Sequence, residues 1–214
     1  MRPVVCMITP LISPAARAEA LVERIGAAAR AGVHLVQIRQ PQLEALALTR
    51  LVEQALRAIR DTRTRLLVND RLDVALAAGA HGAHLRGDSM AAARARVMAP
   101  PGFVIGRSVH SPEEALACER GGGLDYLLFG TVFPTASKPG AAPAGLDALT
   151  RTCGAVALPV LAIGGITAST LASVARAGAA GFAAIGFFAE TAVEELPQAV
   201  HQACSAFDTP EGVP

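Results

Sequence analysis

Lysine is almost missing from this chain: of 19 basic side chains only Lys138 is a lysine, and the rest are arginine. A lone ammonium in a Pro/Gly-rich loop reads either as a solvated loop residue or as one kept for chemistry that a planar guanidinium does not do. A dominant charge is missing too. The net charge of +1 leaves no electrostatic case for nucleic-acid binding. The four cysteines, Cys6, Cys118, Cys153 and Cys204, form no CxxC pair and have no histidine at ligand spacing, which argues against a zinc site. No apolar run reaches the length of a membrane span, and MRPVVCMITP lacks the apolar stretch of a signal peptide. The expectation is a cytoplasmic protein with reduced thiols and no membrane partner. Low-complexity runs are absent as well, so residues 1–207 read as one globular domain and residues 208–214 as a C-terminal tail.

What is present is a strict alternation of short apolar runs and helical stretches. Strands are expected at 4–9, 34–39, 65–69, 82–85, 104–110, 126–129, 159–163 and 181–185. Helices are expected at 15–31, 43–60, 72–78, 89–98, 112–120, 145–153, 167–177 and 193–207. Short strands that are apolar throughout belong to a parallel sheet covered by helices. Eight such units in about 200 residues fit a single-domain (β/α)8 TIM barrel, an α/β fold at its lower size limit. A doubly wound open sheet is the runner-up, but GxGxxG after the first strand, its nucleotide fingerprint, is absent.

In a barrel the chemistry sits just past the strand ends, which here bear Arg39, Asn69-Asp70, Arg86-Gly87-Asp88, Ser108-Val109-His110, residues 131–138, Gly164-Gly165 and Gly186-Phe187. His110, Thr135, Ser137 and Lys138 are therefore expected to converge on one ligand. His110 is the one histidine of five placed beyond a strand's carboxyl end, where an imidazole can take and give a proton. His34 and His81 precede strands, His201 lies in the last helix, and His84 sits within a strand as a core histidine would. Gly164-Gly165 and Ile185-Gly186 lie after strands seven and eight. Barrels often hold phosphate there on backbone amides. Asp70 and Asp88 either share a Mg²⁺ ion or, for Asp88, serve a helix terminus.

Gln37-Ile38-Arg39, residues 68–71, Gly106-Arg107-Ser108-Val109-His110-Ser111, Asp125-Tyr126, residues 129–138 and 162–166 together resemble the thiamine phosphate synthase superfamily, over nearly the whole chain. That resemblance implies a small-molecule thiazole phosphate substrate and one of two activities. The synthase joins hydroxymethylpyrimidine diphosphate to thiazole phosphate with Mg²⁺; the thiazole tautomerase aromatises a carboxythiazole phosphate without metal. By resemblance to the synthase, Arg39, Asn69 and Lys138 would hold the pyrimidine diphosphate, Asp70 the metal, Thr135 and Ser137 the thiazole partner, and Gly165 with Ile185-Gly186 its phosphate. Two departures stand out: Pro41 where the synthase pattern has lysine, and Arg86-Gly87-Asp88-Ser89 where it has Gly-Gln-x-Asp. The run GRSVHS resembles the tautomerase branch, with His110 as the proton carrier, Ser108 beside it in the substrate site, and no cofactor. The tautomerase is therefore the leading expectation. The synthase is the alternative, and a regulatory barrel that binds thiazole or thiamine phosphates without turnover is a third reading. Oligomeric state, a homo-oligomer included, stays open.

Overall fold

The structure, a computed structural model, describes residues 3–12, 18–135, 140 and 142–207. Eight strands, β1 (Val4–Ile8), β2 (Leu35–Ile38), β3 (Arg65–Asn69), β4 (Gly82–Leu85), β5 (Val104–Val109), β6 (Tyr126–Gly130), β7 (Val160–Ile163) and β8 (Gly181–Ala184), close into a barrel in sequence order. Every neighbouring pair is parallel, including β8 with β1. The expected TIM barrel is therefore the fold. All eight carboxyl ends open on one face.

Alternation along the strands divides the core in two. Cys6, Ile8, Leu35, Leu67, Val104, Tyr126, Leu128, Leu161 and Ala183 point inward and fill the barrel's axis. Their outward neighbours, such as Val5, Met7, Val36, Ile105, Leu127 and Phe182, pack under the helices. Burial on both sides is why the strands read as continuous apolar runs. Several inward positions carry no side chain, and Gly106 is the one that makes room for a ring. A Cβ on Gly106 would lie 2.1–2.5 Å from the ring and hydroxyl atoms of Tyr126, so the glycine is the space through which that ring crosses β5.

The outer ring comprises α1 (Ala18–Arg30), α2 (Ala45–Ile59), α3 (Leu72–Ala77), α4 (Ala92–Met98), α5 (Pro112–Gly121), α6 (Gly145–Ala155), α7 (Leu171–Arg176), α8 (Gly186–Glu190) and α9 (Leu196–Phe207). In α2, Leu48, Leu51, Val52, Ala55 and Ile59 are buried, one face of a 3.6-residue period. α5 starts on a side-chain cap: Ser111 Oγ accepts from Glu114 N at 3.1 Å, and the Glu114 carboxylate accepts from His110 N, one residue before the cap, at 2.7 Å.

Several helix starts differ from expectation: α4 begins at Ala92, not 89, and α9 at Leu196, not 193, after a 3-10 turn at Val193–Glu195. α7 starts at Leu171, not 167, because residues 167–170 close their own turn, with Thr167 N donating to Thr170 Oγ1 at 2.9 Å and Thr170 N to Thr167 O at 3.0 Å. α8, five residues long, was not expected at all, and it opens on Gly186 directly after β8. No described helix is long and apolar enough to cross a membrane. The expected tail, 208–214, lies outside the described residues.

Candidate active site

The carboxyl face encloses a cavity of about 1480 Å³ to which all eight strands or their following loops contribute. Its floor is set by register. Ile8 pairs with Gln37, Asn69 with His84 and Gly130 with Ile163, so the last inward residues of these strand pairs lie side by side.

The polar half lies over β2 to β5. Gln37 is 2% exposed and donates from Nε2 to Asn69 Oδ1 at 2.7 Å, while its Oε1 is buried without a partner among the described residues. A buried acceptor left without a donor costs free energy, and a ligand N–H or O–H would satisfy it. Arg39 is exposed at the rim, its backbone N–H held by Thr9 Oγ1 at 2.9 Å. Buried Gln40 secures that turn by donating to Pro10 O at 2.7 Å and accepting from Ile12 N at 2.9 Å. Arg39 and Arg86 both line the cavity on this side.

Asp70 and Asp88, expected to share a Mg²⁺ ion, are bridged by an arginine in this structure. Arg86 lies between them, 2.7 Å from an Asp88 oxygen and 3.7 Å from Asp70 Oδ2. The other Asp70 oxygen accepts a short hydrogen bond from Ser89 Oγ. One guanidinium offsets one of the two negative charges, so the pair keeps a net negative charge beside the cavity, and no cluster of three or more His, Cys, Asp or Glu with metal-binding geometry occurs among the described residues. Asp70 itself adopts φ 63°, one of the few non-glycine residues able to do so at low cost.

His84 is 1% exposed, with Nδ1 2.9 Å from Tyr126 Oη and Nε2 2.9 Å from Ser108 Oγ. Burial, reinforced by the Arg107 charge, pushes its pKa down to about 3, so the ring is neutral at physiological pH. It is the core histidine expected, yet it also forms part of the cavity floor. His110 stands at the exposed rim and its Nδ1 makes a short hydrogen bond to the Gly130 carbonyl. Since a carbonyl only accepts, Nδ1 carries a hydrogen and Nε2 is the ring nitrogen left for other partners.

The glycine half lies over β7 and β8. Gly164 and Gly165 have φ of 99° and 65°, and a Cβ on Gly165 would meet the Pro134 carbonyl oxygen at 2.5 Å. Only glycine lets this turn pass so close beneath the β6 loop. Ile185 and Gly186 line the cavity where α8 begins, and the first amides of α8 have no intrahelical acceptor. Its trailing end is pinned by Arg24, whose Nη1 donates to Phe188 O at 2.7 Å and Thr191 O at 2.8 Å. Thr135 lines the cavity between the two halves. Ser137 and Lys138 lie outside the described residues.

Thus Arg39, Asn69, Ser108, His110, Thr135, Gly164, Gly165, Ile185 and Gly186 surround one cavity, with Asp88 at its edge. Asp70 turns aside to Ser89 and Arg86. Sequence reasoning missed Gln37, Gln40 and Arg24 as working parts. The signal for Gln37 was its amide at a position of β2 otherwise filled by apolar residues; Arg24, on α1, had none.

The model of the thiamine monophosphate synthase family matches residues 6–188. A thiamine-phosphate synthase of Chlorobium luteolum is 36% identical over 209 residues, covering 97% of this chain and 94% of its own. A thiamine-phosphate synthase of Roseiflexus castenholzii is 42% identical over 172 residues, or 80% and 75% of the two chains. The thiamine phosphate pyrophosphorylase of Pyrococcus furiosus superposes with a TM-score of 0.81 at 30% identity, covering 95% of this chain and 96% of the other. These relatives overturn the expected tautomerase assignment, which rested on the GRSVHS run and on the departures at Pro41 and Arg86-Gly87-Asp88-Ser89; similarity across almost the full length points to the synthase instead. The chain belongs to the thiamine monophosphate synthase family.

Proposed function

We propose that the protein is a thiamine-phosphate synthase, a transferase that moves a pyrimidinylmethyl group from its diphosphate to the ring nitrogen of a thiazole phosphate. The names carried by its relatives support the class. The observation that carries the substrate assignment is the orphan Gln37 Oε1 beside Asn69. An amino-substituted pyrimidine offers an N–H donor next to a ring-nitrogen acceptor. Gln37 Oε1 takes the former, and the Asn69 amide donates to the latter. Seated there, the pyrimidine turns its diphosphate toward Arg39, Arg86 and Ser108, and Lys138 is assigned to the same group from the family pattern.

The chemistry is a substitution. The bond between the methylene carbon and the diphosphate oxygen breaks, its electron pair leaves on the oxygen, and the thiazole nitrogen lone pair forms the new carbon–nitrogen bond. Arg39 and Arg86 stabilise the charge that develops on the leaving diphosphate, and cavity walls fix the two reactants at attack distance. The thiazole phosphate lies on Gly164, Gly165, Ile185 and Gly186, which places its ring under the β6 loop and Thr135. His110, at the rim between the halves, is a substrate contact in this reading. No step is assigned to an ion.

The test is to supply purified protein with hydroxymethylpyrimidine diphosphate and thiazole phosphate in Mg²⁺-containing buffer. Thiamine phosphate and free diphosphate should appear in equal amounts. Failure to form either, with both substrates bound, would refute the transferase reading.

A further inference from the structure

His84, Ser108 and Tyr126 stand on three neighbouring strands, β4, β5 and β6, and the tyrosine ring crosses β5 above Gly106 to reach the histidine. Among the described residues, His84 Nδ1 is the hydrogen-bond partner of the Tyr126 hydroxyl, and His84 Nε2 that of the Ser108 hydroxyl. A neutral imidazole has one N–H and one lone pair, so only two arrangements exist. If Nδ1 carried the hydrogen, the Tyr126 oxygen would accept it and the Tyr126 O–H would be buried with no acceptor. If Nε2 carries it, the Tyr126 O–H donates to Nδ1 and every buried donor is satisfied. A spare lone pair on a phenolic oxygen costs far less than an unmade O–H bond. Burial supports this, since it keeps both the imidazole and the phenol uncharged.

In the second arrangement Ser108 Oγ accepts from His84 and cannot donate back. Its hydrogen turns to the cavity that the residue lines. We propose that His84 is a positioning residue that fixes the Ser108 hydroxyl as a hydrogen-bond donor to an acceptor-only oxyanion, the diphosphate of the first substrate. The direction of the bond rests on the geometry of the three side chains; the identity of the oxyanion rests on the transferase reading. Position agrees with that choice, because β5 adjoins the strand that ends at Arg86.

Two measurements test it. In the full chain labelled with nitrogen-15 at histidine, His84 should show a protonated Nε2 and a bare Nδ1 at neutral pH. A protonated Nδ1 overturns the proposal, whatever the protein catalyses. The second measurement is calorimetric binding of inorganic diphosphate. Ser108→Ala should weaken it about tenfold, and His84→Leu by a similar factor, since a hydrogen bond to an anion is worth about that much. His84→Gln, whose amide places an N–H near the position of Nε2, should restore binding to within about threefold of wild type. In the Ser108→Ala background His84→Leu should cost nothing more, as expected of a residue acting only through the serine. An equal further loss in that background overturns the proposal. Should the histidine variants fail to fold, the tautomer of the wild-type ring decides alone. Diphosphate binding that follows this pattern without thiamine phosphate formation would sink the transferase reading and leave the donor role of Ser108 standing.

Discussion

Replacing Gln37 by methionine should make the protein more stable and a poorer enzyme. The side chain is 2% exposed, makes one hydrogen bond, to Asn69, and buries Oε1 with no partner. Methionine, of similar length, removes the orphan acceptor, which relieves about 1–3 kcal/mol, and gives up a hydrogen bond worth about 1 kcal/mol. Asn69 is half-buried at the cavity, so water can take the place of the lost amide there. The balance is a gain of about 1 kcal/mol, or about 2–4 °C in Tm for a chain of this size. Function moves the other way. Losing the acceptor for the pyrimidine amino group should raise KM for the pyrimidine diphosphate about 10–100-fold and leave KM for the thiazole phosphate unchanged. Thermal unfolding and initial-rate kinetics on the same preparation measure both. A variant that melts below wild type and keeps its KM would refute the assignment of Gln37 Oε1 to the ligand.

Other parts of the site carry their own expectations. Gly165→Ala forces a side chain into φ 65° and against the Pro134 carbonyl at 2.5 Å; it should cost about 1–3 kcal/mol in urea unfolding and raise KM for the thiazole phosphate more than for its partner substrate. Arg24→Ala frees the Phe188 and Thr191 carbonyls that hold α8, so KM for the thiazole phosphate should rise several-fold; an unchanged value would place that phosphate elsewhere. His84 has a folded pKa lowered to about 3 from 6.5. Between those values the unfolded chain binds the extra proton, so this stability is complete above about pH 6.5 and is lost as pH falls toward 3, with a slope approaching about 1.4 kcal/mol per pH unit. The difference between wild type and His84→Gln in urea unfolding across pH 4–7 reads that slope, and parallel curves would show that the buried ring does not titrate as stated.

The barrel was legible because its strands are buried on both faces. The run at 65–69 and that at 82–85 have the same bounds in the structure as in the sequence reading. Helix ends were less legible where local hydrogen bonds compete with the helix, as the Thr167–Thr170 turn does before α7. α8 has too few residues to display a helical period, and it opens on glycine, a residue that usually signals a stop. The rim residues could be listed from strand ends alone, because in a parallel barrel every carboxyl end faces the same way. Pairing among them could not. Nothing in the spacing of Asp70, Arg86 and Asp88 says that the guanidinium settles between the carboxylates, since that depends on how the β3 and β4 loops lean together. Inward and outward positions were also hidden until the register was known: Gln37 and His84 read as isolated polar residues in apolar strands. Only the pairing of Ile8 with Gln37 and of Asn69 with His84 places both on the cavity floor. The same limit misdirected the functional reading. His110 invites a proton-transfer role when its strand end is read alone. What overturns it is similarity to thiamine-phosphate synthases across almost the whole chain, and the cavity beside His110 also presents an orphan amide oxygen, two guanidiniums and a glycine-lined turn that no single strand end displays.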